Sequence, residues 1–134
     1  METTAQFEAL FEALGDDECR SLLRQGAVGR VVWSAGDGLE ALPVCYRMSG
    51  QDIFFAADPE SVLGELARPT AVAFQIDDID VDTQTGWSVL VRGRARRWDG
   101  ADASAPPRPW APGERPLVVV VEPQTYTGRV VAGA

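Results

Sequence analysis

Apolar residues near the start of the chain recur at helical spacing. They lie at positions i, i+3, i+4 and i+7 between residues 7 and 14, which predicts an amphipathic helix ending near Gly15. A second helix is predicted to begin at Asp16 or Asp17, to bury Leu22 and Leu23, and to end at the RQGAVG segment. Both helices would lie within residues 1–27. The apolar positions of the first helix are Phe7, Leu10, Phe11 and Leu14.

Beyond residue 27 the apolar residues occur in short runs that are rich in β-branched and aromatic side chains, which is typical of strands. AGDG at 35–38 is a hairpin signal, so the first three strands are predicted to form a meander. The four valines at 118–121 indicate burial on both faces of the last strand. TYTGRVV after them is expected to be a short edge piece. The strand segments are RVVWSA, LEALPVCYRMS, DIFFAA, TAVAFQID, WSVLVRGRARRW and PLVVVVE.

One short helix and two irregular segments complete the predicted elements. Residues 59–68 read as a helix that Asp58 caps, with Leu63 and Leu66 on the buried side. DDIDVDTQTG is expected to be an acidic, turn-rich link, and the five prolines of residues 99–116 predict a surface loop. The pattern as a whole predicts a single domain over residues 1–134. That domain is mainly β with short helices: about six antiparallel strands in a closed or partly closed barrel, with the helices packed outside.

Composition narrows the chemistry open to the chain. Its 134 residues carry a formal net charge of −8, which disfavours a nucleic-acid partner because phosphate binding needs a basic face. It has no His, and all twelve basic residues are Arg, which excludes imidazole catalysis and lysine Schiff bases. Cys19 and Cys45 are too few for a usual metal site, so no metal is expected. Difficult chemistry would need a bound organic cofactor or carboxylates with shifted pKa values.

The N-terminal segment METTAQFEALFEALGDDE lacks a basic start and a long apolar run, so we expect neither a signal peptide nor a membrane span. A cytoplasmic location with reduced thiols is therefore expected. The acidic residues of positions 77–82 are predicted to form a solvated turn. They lack the Gly and terminal Glu of a calcium loop.

Three segments together carry a family resemblance: DECRSLLRQGAVGRVVW at 17–33, TAVAFQIDDIDVDTQTGWSVLVRGRARRW at 70–98, and PWAPGERPLVVVVEPQTYTGRVV at 109–131. In combination they resemble the flavin-binding split-barrel superfamily, the pyridoxamine 5′-phosphate oxidase-like proteins, in its small actinobacterial-type branch. The resemblance implies a split β-barrel. It also implies a homodimer that holds a small-molecule ligand, FMN or deazaflavin and sometimes haem, in the clefts between its subunits.

The resemblance places a phosphate clasp at the segment FFAADPESVLGEL. Relatives have an Arg-Thr pair at the strand end, a Gly-rich turn, and then Ser or Thr and a Lys at the helix start. Here Ala56 and Ala57 stand at the pair, acids occupy the turn, and only Ser61 matches. Because Arg and Lys give charge-assisted hydrogen bonds, we expect weakened phosphate binding, with Asp58 taking the helix N–H groups in place of the anion.

Other cofactor contacts follow from the same resemblance. Trp87 and Ser88 open the strand that runs beside the flavin ring in relatives, where Trp87 either stacks on the ring or packs in the core. Arg92 alternates with Arg94 and Arg96 on one strand face, which is either a compensating anion site or a solvated surface. The remaining tryptophans are expected to pack or to cover the cleft. The full set of candidate cofactor contacts is Ser61, Trp87, Ser88, Cys45, Tyr46 and Arg92, and no catalytic residue is identified.

Three functions are open at this point. The first is a flavin-dependent oxidoreductase. The second is a divergent member without flavin, which binds an apolar small molecule or catalyses a cofactor-independent reaction with Trp87, Tyr46 and either Asp58 or Glu60. The third is a non-catalytic dimer.

Overall fold

Eight strands and two short helices form residues 11–100 and 117–131, the parts of the chain that the computed structural model describes. In chain order the elements are β1 (Phe11–Leu14), α1 (Asp16–Gln25), β2 (Val28–Ala35), β3 (Gly38–Cys45), β4 (Arg47–Ser49), β5 (Asp52–Ala57), a 3-10 helix (Val62–Ala67), β6 (Thr70–Asp80), β7 (Thr85–Arg97) and β8 (Leu117–Val131).

The described strands form one curled antiparallel sheet, a split barrel, in the order β3-β2-β6-β7-β8-β5-β4. β8 organises it, because β7 pairs along one of its edges while β5 and β1 share the other. The mainly β fold is confirmed, with eight strands rather than about six. The predicted meander is confirmed for its two hairpins, β2–β3 and β4–β5. The strand predicted over residues 39–49 is broken at Tyr46 into β3 and β4, which lie at the two ends of the strand order, and β5 also pairs with β8.

The N-terminal helix prediction is wrong for residues 11–14, which form β1. Phe11–Leu14 pairs antiparallel with the end of β8, from Gly128 to Val131. A free strand edge gives a four-residue segment backbone partners that an isolated helical turn lacks, so tertiary pairing overrides the helical spacing. Phe7 and Leu10 lie outside the described residues. The TYTGRVV segment is likewise part of β8 and not a separate edge piece.

The second predicted helix is α1. It begins at Asp16, and the Gly15 N–H donates to Glu18 Oε1 at 3.1 Å, which satisfies one backbone group at the helix start. Cys19 and Leu23 are fully buried on its inner face. The helix ends at Gln25, and at the following residue, Gly26, an added Cβ would collide with the Tyr46 hydroxyl.

A core of aromatic and β-branched side chains fills the barrel. The predicted burial of the valine run is confirmed, since Val119, Val120 and Val121 are almost inaccessible. The acidic link is shorter than predicted, because β6 continues to Asp80 and β7 starts at Thr85. Most of the predicted Pro-rich loop lies outside the described residues, and the single-domain organisation stays a prediction. Among the described residues, no helix combines the length and apolar character needed to cross a membrane.

Candidate functional site

A cavity of about 550 Å³ opens beside the 3-10 helix, near the end of β2 and the start of β6. We call it the 3-10 cavity. Charged groups of both signs line it, together with hydroxyl groups and one indole. The lining residues that bear on its chemistry are Trp33, Ser34, Ser61, Glu65, Arg68 and Thr70.

The turn before the 3-10 helix satisfies its own hydrogen bonds. The Asp58 carboxylate accepts the backbone N–H of Glu60 at 2.9 Å, and the Asp58 carbonyl oxygen accepts the backbone N–H of Ser61 at 3.0 Å. The Ser61 hydroxyl donates to the same carbonyl oxygen at 2.7 Å. The helix therefore starts at Val62, not at Pro59 as predicted, and Asp58 caps this turn instead of the helix.

Glu65 is held at the 3-10 cavity by Trp33. The indole Nε1–H donates to Glu65 Oε2 at 3.4 Å, and Trp33 itself is only 3% exposed. The expected packing role of Trp33 is thus confirmed, and its N–H has a partner, as buried indoles usually do. A carboxylate offers several acceptor positions, so Glu65 still presents an acceptor to the cavity.

Arg68 lines the same cavity, although it is not among the cofactor contacts predicted from the sequence. It follows the 3-10 helix directly, and its carbonyl oxygen accepts the Thr70 hydroxyl at 2.7 Å. Its guanidinium has no ion-pair partner among the residues that the structure describes. The sequence shows only an Arg-Pro pair between a predicted helix and the next strand, and such a pair is too common to indicate a binding site.

A second cavity, of about 450 Å³, lies where the β6–β7 hairpin meets the end of β8. We call it the hairpin cavity. Trp87 lines it and is half-buried against the core, next to Gly86 and Val130. An adjoining cavity of about 370 Å³ is lined by Ile79 and Val81, whose side chains are 59% and 82% exposed.

The acidic hairpin tip bonds to its own backbone. Asp80 Oδ1 accepts the backbone N–H groups of Asp82 at 3.0 Å and Thr83 at 3.2 Å, as expected for an acid in a turn. Within the described residues, no cluster of three or more His, Cys, Asp or Glu side chains is arranged to hold a metal ion.

The structure distributes the predicted cofactor contacts over several places instead of one site. Ser61 lies at the 3-10 cavity and Trp87 at the hairpin cavity. Ser88 lies on the sheet face opposite to Trp87, between Asp77 and Arg129 on the neighbouring strands. Cys45 lies at the end of β3, Tyr46 lies in the core, and Arg92 lies on the outer face of β7.

Tyr46 is a core residue, with 3% of its surface exposed. Its hydroxyl donates to the Leu23 carbonyl oxygen at 2.6 Å, and its ring meets the Phe74 ring edge-on with centroids 5.0 Å apart. Burial raises the pKa of Tyr46 to about 12. Because both ends of the side chain are engaged in the core, Tyr46 does not join Asp58 or Glu60 in the cofactor-independent site considered above.

The two cysteines differ in their surroundings. Cys19 is fully buried, and this burial, followed by the negative charges of Asp16 and Glu18, raises the pKa of its thiol. Cys45, at the end of β3, is half-buried, and both thiols are free. A thiol with a raised pKa carries little thiolate, so Cys19 is a packing residue.

The arginines of β7 share the exposed outer face of the sheet. Arg96 Nε donates to Glu122 Oε1 at 2.9 Å, whereas Arg92 and Arg94 have no ion pair with any described residue. No β7 arginine forms an ion pair with the acids of positions 77–82 within the described residues. Arg30 is the residue that lies 3.8 Å from the Asp77 carboxylate.

The residues at the clasp position do not fit a phosphate group. Ala56 and Ala57 offer no side-chain donor, and the Ser61 hydroxyl is already donating to the main chain. The 3-10 helix has six residues, too few aligned peptides for a strong dipole at its start. The turn itself adds the carboxylates of Asp58 and Glu60, which repel an anion.

Comparison with known proteins supports the family resemblance. A family model described as pyridoxamine 5′-phosphate oxidase matches residues 15–130. The uncharacterized protein Rv0080 of Mycobacterium tuberculosis is 31% identical over 129 residues, covering 89% of this chain and 85% of that protein.

Two solved structures share the architecture. The FAD binding protein from Mycobacterium smegmatis superposes with a TM-score of 0.70 at 29% identity, covering 90% of this chain and 97% of that one. A Corynebacterium glutamicum protein assigned as a pyridoxamine 5′-phosphate oxidase superposes with a TM-score of 0.77 at 25% identity, covering 92% and 95%. With the split barrel and the family match over residues 15–130, they show that this chain belongs to the pyridoxamine 5′-phosphate oxidase family.

Proposed function

We propose that this protein is a flavin-dependent oxidoreductase. The observation that carries the proposal is its 29% identity, over 90% of the chain, to a mycobacterial protein described as FAD binding. A bound flavin supplies the electron-transfer chemistry, while the protein supplies binding, orientation and exclusion of water. FAD therefore joins FMN and deazaflavin as a candidate cofactor.

Trp87 is the residue proposed to stack on the flavin ring. Its position at the hairpin cavity supports this role, because the indole is partly accessible and has Gly86 and Val130 beside it. Flat aromatic surfaces in offset contact stabilise a complex beyond the area they bury.

The proposed assembly is a homodimer with a ligand cleft between the subunits. The exposed apolar residues Ile79 and Val81, beside the hairpin cavity, support the proposed dimer, since exposed apolar groups often mark an interface between proteins. Size-exclusion chromatography with light scattering tests the assembly, and a monomer at micromolar concentration would contradict it. A cytoplasmic location stays a prediction.

The function is tested first by the visible absorption spectrum of the purified protein, and then by titration with FAD, FMN and the deazaflavin coenzyme. Saturable quenching of flavin fluorescence is the expected result. Trp87→Ala should weaken binding by roughly 3- to 10-fold, and Trp87→Phe, which keeps a ring, should weaken it less. No binding of any of the three cofactors would contradict the proposal.

A further inference from the structure

We propose that the 3-10 cavity binds a small zwitterion, a molecule that carries an ammonium group and a carboxylate group on one short carbon chain. The Glu65 carboxylate receives the ammonium group, and the Arg68 guanidinium receives the carboxylate. This cavity lies at the start of β6, whereas the hairpin cavity of the proposed flavin contact lies at its end. The zwitterion is therefore a second ligand, beyond the proposed function and independent of it.

Two opposite charges line the cavity without neutralising each other. Glu65 and Arg68 both border it and stand three positions apart in the chain, a spacing at which helical side chains come within reach. They nevertheless form no ion pair with each other, nor does either form one with another residue that the structure describes. Each charge is thus available to a ligand group of the opposite sign.

The Glu65 carboxylate is oriented from the core. The Trp33 indole N–H donates to Glu65 Oε2 at 3.4 Å, and Trp33 itself is only 3% exposed. A single long hydrogen bond fixes the direction of the carboxylate but leaves most of its acceptor positions open. An ammonium group, which has three N–H donors and no acceptor, suits those positions.

Arg68 offers the matching contact for the carboxylate of the ligand. Its guanidinium presents N–H donors in a planar fork that fits the two oxygens of a carboxylate. The main chain at Arg68 is held by the Thr70 hydroxyl, which donates to its carbonyl oxygen at 2.7 Å. The Ser34 hydroxyl also lines the cavity and has no hydrogen bond to any described residue, so it is free to bond to either end of the ligand.

The size of the cavity and the exposure of its charges favour a ligand that contacts both. Its volume of about 550 Å³ lies in the range of small-molecule sites and leaves room for a side chain on the ligand. Glu65 and Arg68 are exposed, so each alone binds a counterion weakly because water and salt screen it. A zwitterion gains both contacts while losing its freedom of motion only once.

The first experiment titrates the whole protein, without flavin, with glycine, β-alanine and 4-aminobutyrate, whose two charges are separated by increasing distances. The readout is the assigned indole N–H signal of Trp33 in NMR spectra of the ¹⁵N-labelled protein. Because this N–H donates to Glu65, an ammonium group that binds Glu65 should shift the signal. We expect a saturable shift at millimolar concentration with at least one of the three. No saturable shift with any of them would overturn the proposal.

Matched analogues test whether both charges of the ligand are required. The zwitterion that binds best is compared with the molecule that lacks its ammonium group and with the one that lacks its carboxylate. For β-alanine these are propionate and ethylamine. At one pH and ionic strength the zwitterion should bind about 3- to 10-fold more tightly than either analogue. An analogue that binds as tightly as the zwitterion would overturn the proposal, since one charge would then be sufficient.

Two substitutions locate the site. Glu65→Gln keeps an acceptor for the Trp33 indole, and Arg68→Gln keeps a polar side chain at an exposed position, so both variants should fold. Each should weaken zwitterion binding about 3- to 10-fold, and Glu65→Gln should leave the binding of the analogue without an ammonium group nearly unchanged. Arg24→Gln in α1 and Asp82→Asn at the hairpin tip are the controls and should bind like the wild type. Wild-type affinity in either cavity variant would overturn the assignment.

The titrations also separate this proposal from the proposed function, because none of them contains flavin. Zwitterion binding by a protein that binds no flavin would support the second site and contradict the flavin function. Flavin binding without a saturable response to any zwitterion would do the opposite.

Discussion

The Tyr46 hydroxyl donates a 2.6 Å hydrogen bond to the backbone carbonyl oxygen of Leu23 in the last turn of α1. The backbone N–H of Tyr46 also donates, to the Ala27 carbonyl oxygen at 3.0 Å. One residue between β3 and β4 therefore bonds to the last turn of α1 through its side chain and to the link between α1 and β2 through its main chain. This contact explains why a tyrosine considered as a flavin contact serves the core instead.

Tyr46→Phe should lower the free energy of unfolding by about 1 kcal/mol, because one buried hydrogen bond is lost while the ring contact with Phe74 is kept. Urea denaturation measures the change. Tyr46→Ala is the comparison and should cost about 3–5 kcal/mol, since it also leaves a cavity. Equal losses in the two variants would show that the hydroxyl and not the ring carries the contribution.

Alkaline conditions should destabilise the protein through the same residue. Burial raises the Tyr46 pKa from 10.0 to about 12 in the folded protein, so the folded state keeps its proton where the unfolded chain loses it. The associated stability is present below about pH 10 and is lost as the pH rises toward about 12. Denaturation curves across this window should show a steeper loss for the wild type than for Tyr46→Phe. Parallel losses would contradict the assignment.

Gly29→Ala should destabilise the barrel by about 1–3 kcal/mol through overpacking. Gly29 faces the core in β2, and an added Cβ would collide with the ring of Phe74. Gly36→Ala, in the β2–β3 turn where nothing lies within 4 Å, is the matched control. The double variant Gly29→Ala with Phe74→Leu should lose less unfolding free energy than the two single variants lose together. If the two losses simply add, the new Cβ does not collide with the Phe74 ring.

Asp52 should make stability fall as the pH rises through the acid range. Burial, followed by the negative charge of Glu122, raises its pKa, while Arg96 opposes the shift. The folded protein therefore binds this proton more strongly than the unfolded chain does, so stability declines as the pH rises through the raised pKa. Asp52→Asn should flatten the dependence of the melting temperature on pH and raise that temperature near neutral pH. A lower melting temperature in the variant would contradict this reasoning.

Thiol labelling should distinguish the two cysteines. Cys19 is fully buried and its pKa is raised, so it should react with a disulfide reagent only as fast as the protein unfolds. Cys45 is half-buried and should react faster in the folded protein. Cys45→Ser should leave a protein with no rapidly reacting thiol. Rapid labelling of that variant would mean that α1 opens readily from the sheet.

Local patterns were sufficient for several elements. α1 begins at Asp16 as predicted, because acidic residues at its start and two adjacent leucines act within one helix. The AGDG turn joins β2 to β3, and Gly38 adopts the positive φ of 135° that such a turn residue permits. These features depend on neighbours in the chain, which are visible in the sequence.

The helix predicted over residues 7–14 shows what local patterns cannot predict. Phe11–Leu14 pairs instead with a strand more than a hundred residues later, and no local pattern reports that this strand has a free edge. The same holds for the break of the predicted 39–49 strand at Tyr46, and for β5, which pairs with β8 far later in the chain. Non-local hydrogen bonds decided both outcomes.

The sequence by itself determined the mainly β composition, the second helix and the absence of basic residues between Arg47 and Arg68, because strand-like apolar runs, helix-start residues and composition can be read directly. The family was indicated by the resemblance of three longer segments, which the match over residues 15–130 confirms. Only the tertiary structure decided that Glu65 and Arg68 lie beside Trp33, that Tyr46 belongs to the core, and that Ser61 and Trp87 lie at different cavities. The physical reason is that these neighbours are joined by the pairing of β2 with β6 and by the packing of two helices on the sheet, interactions between segments far apart in the chain.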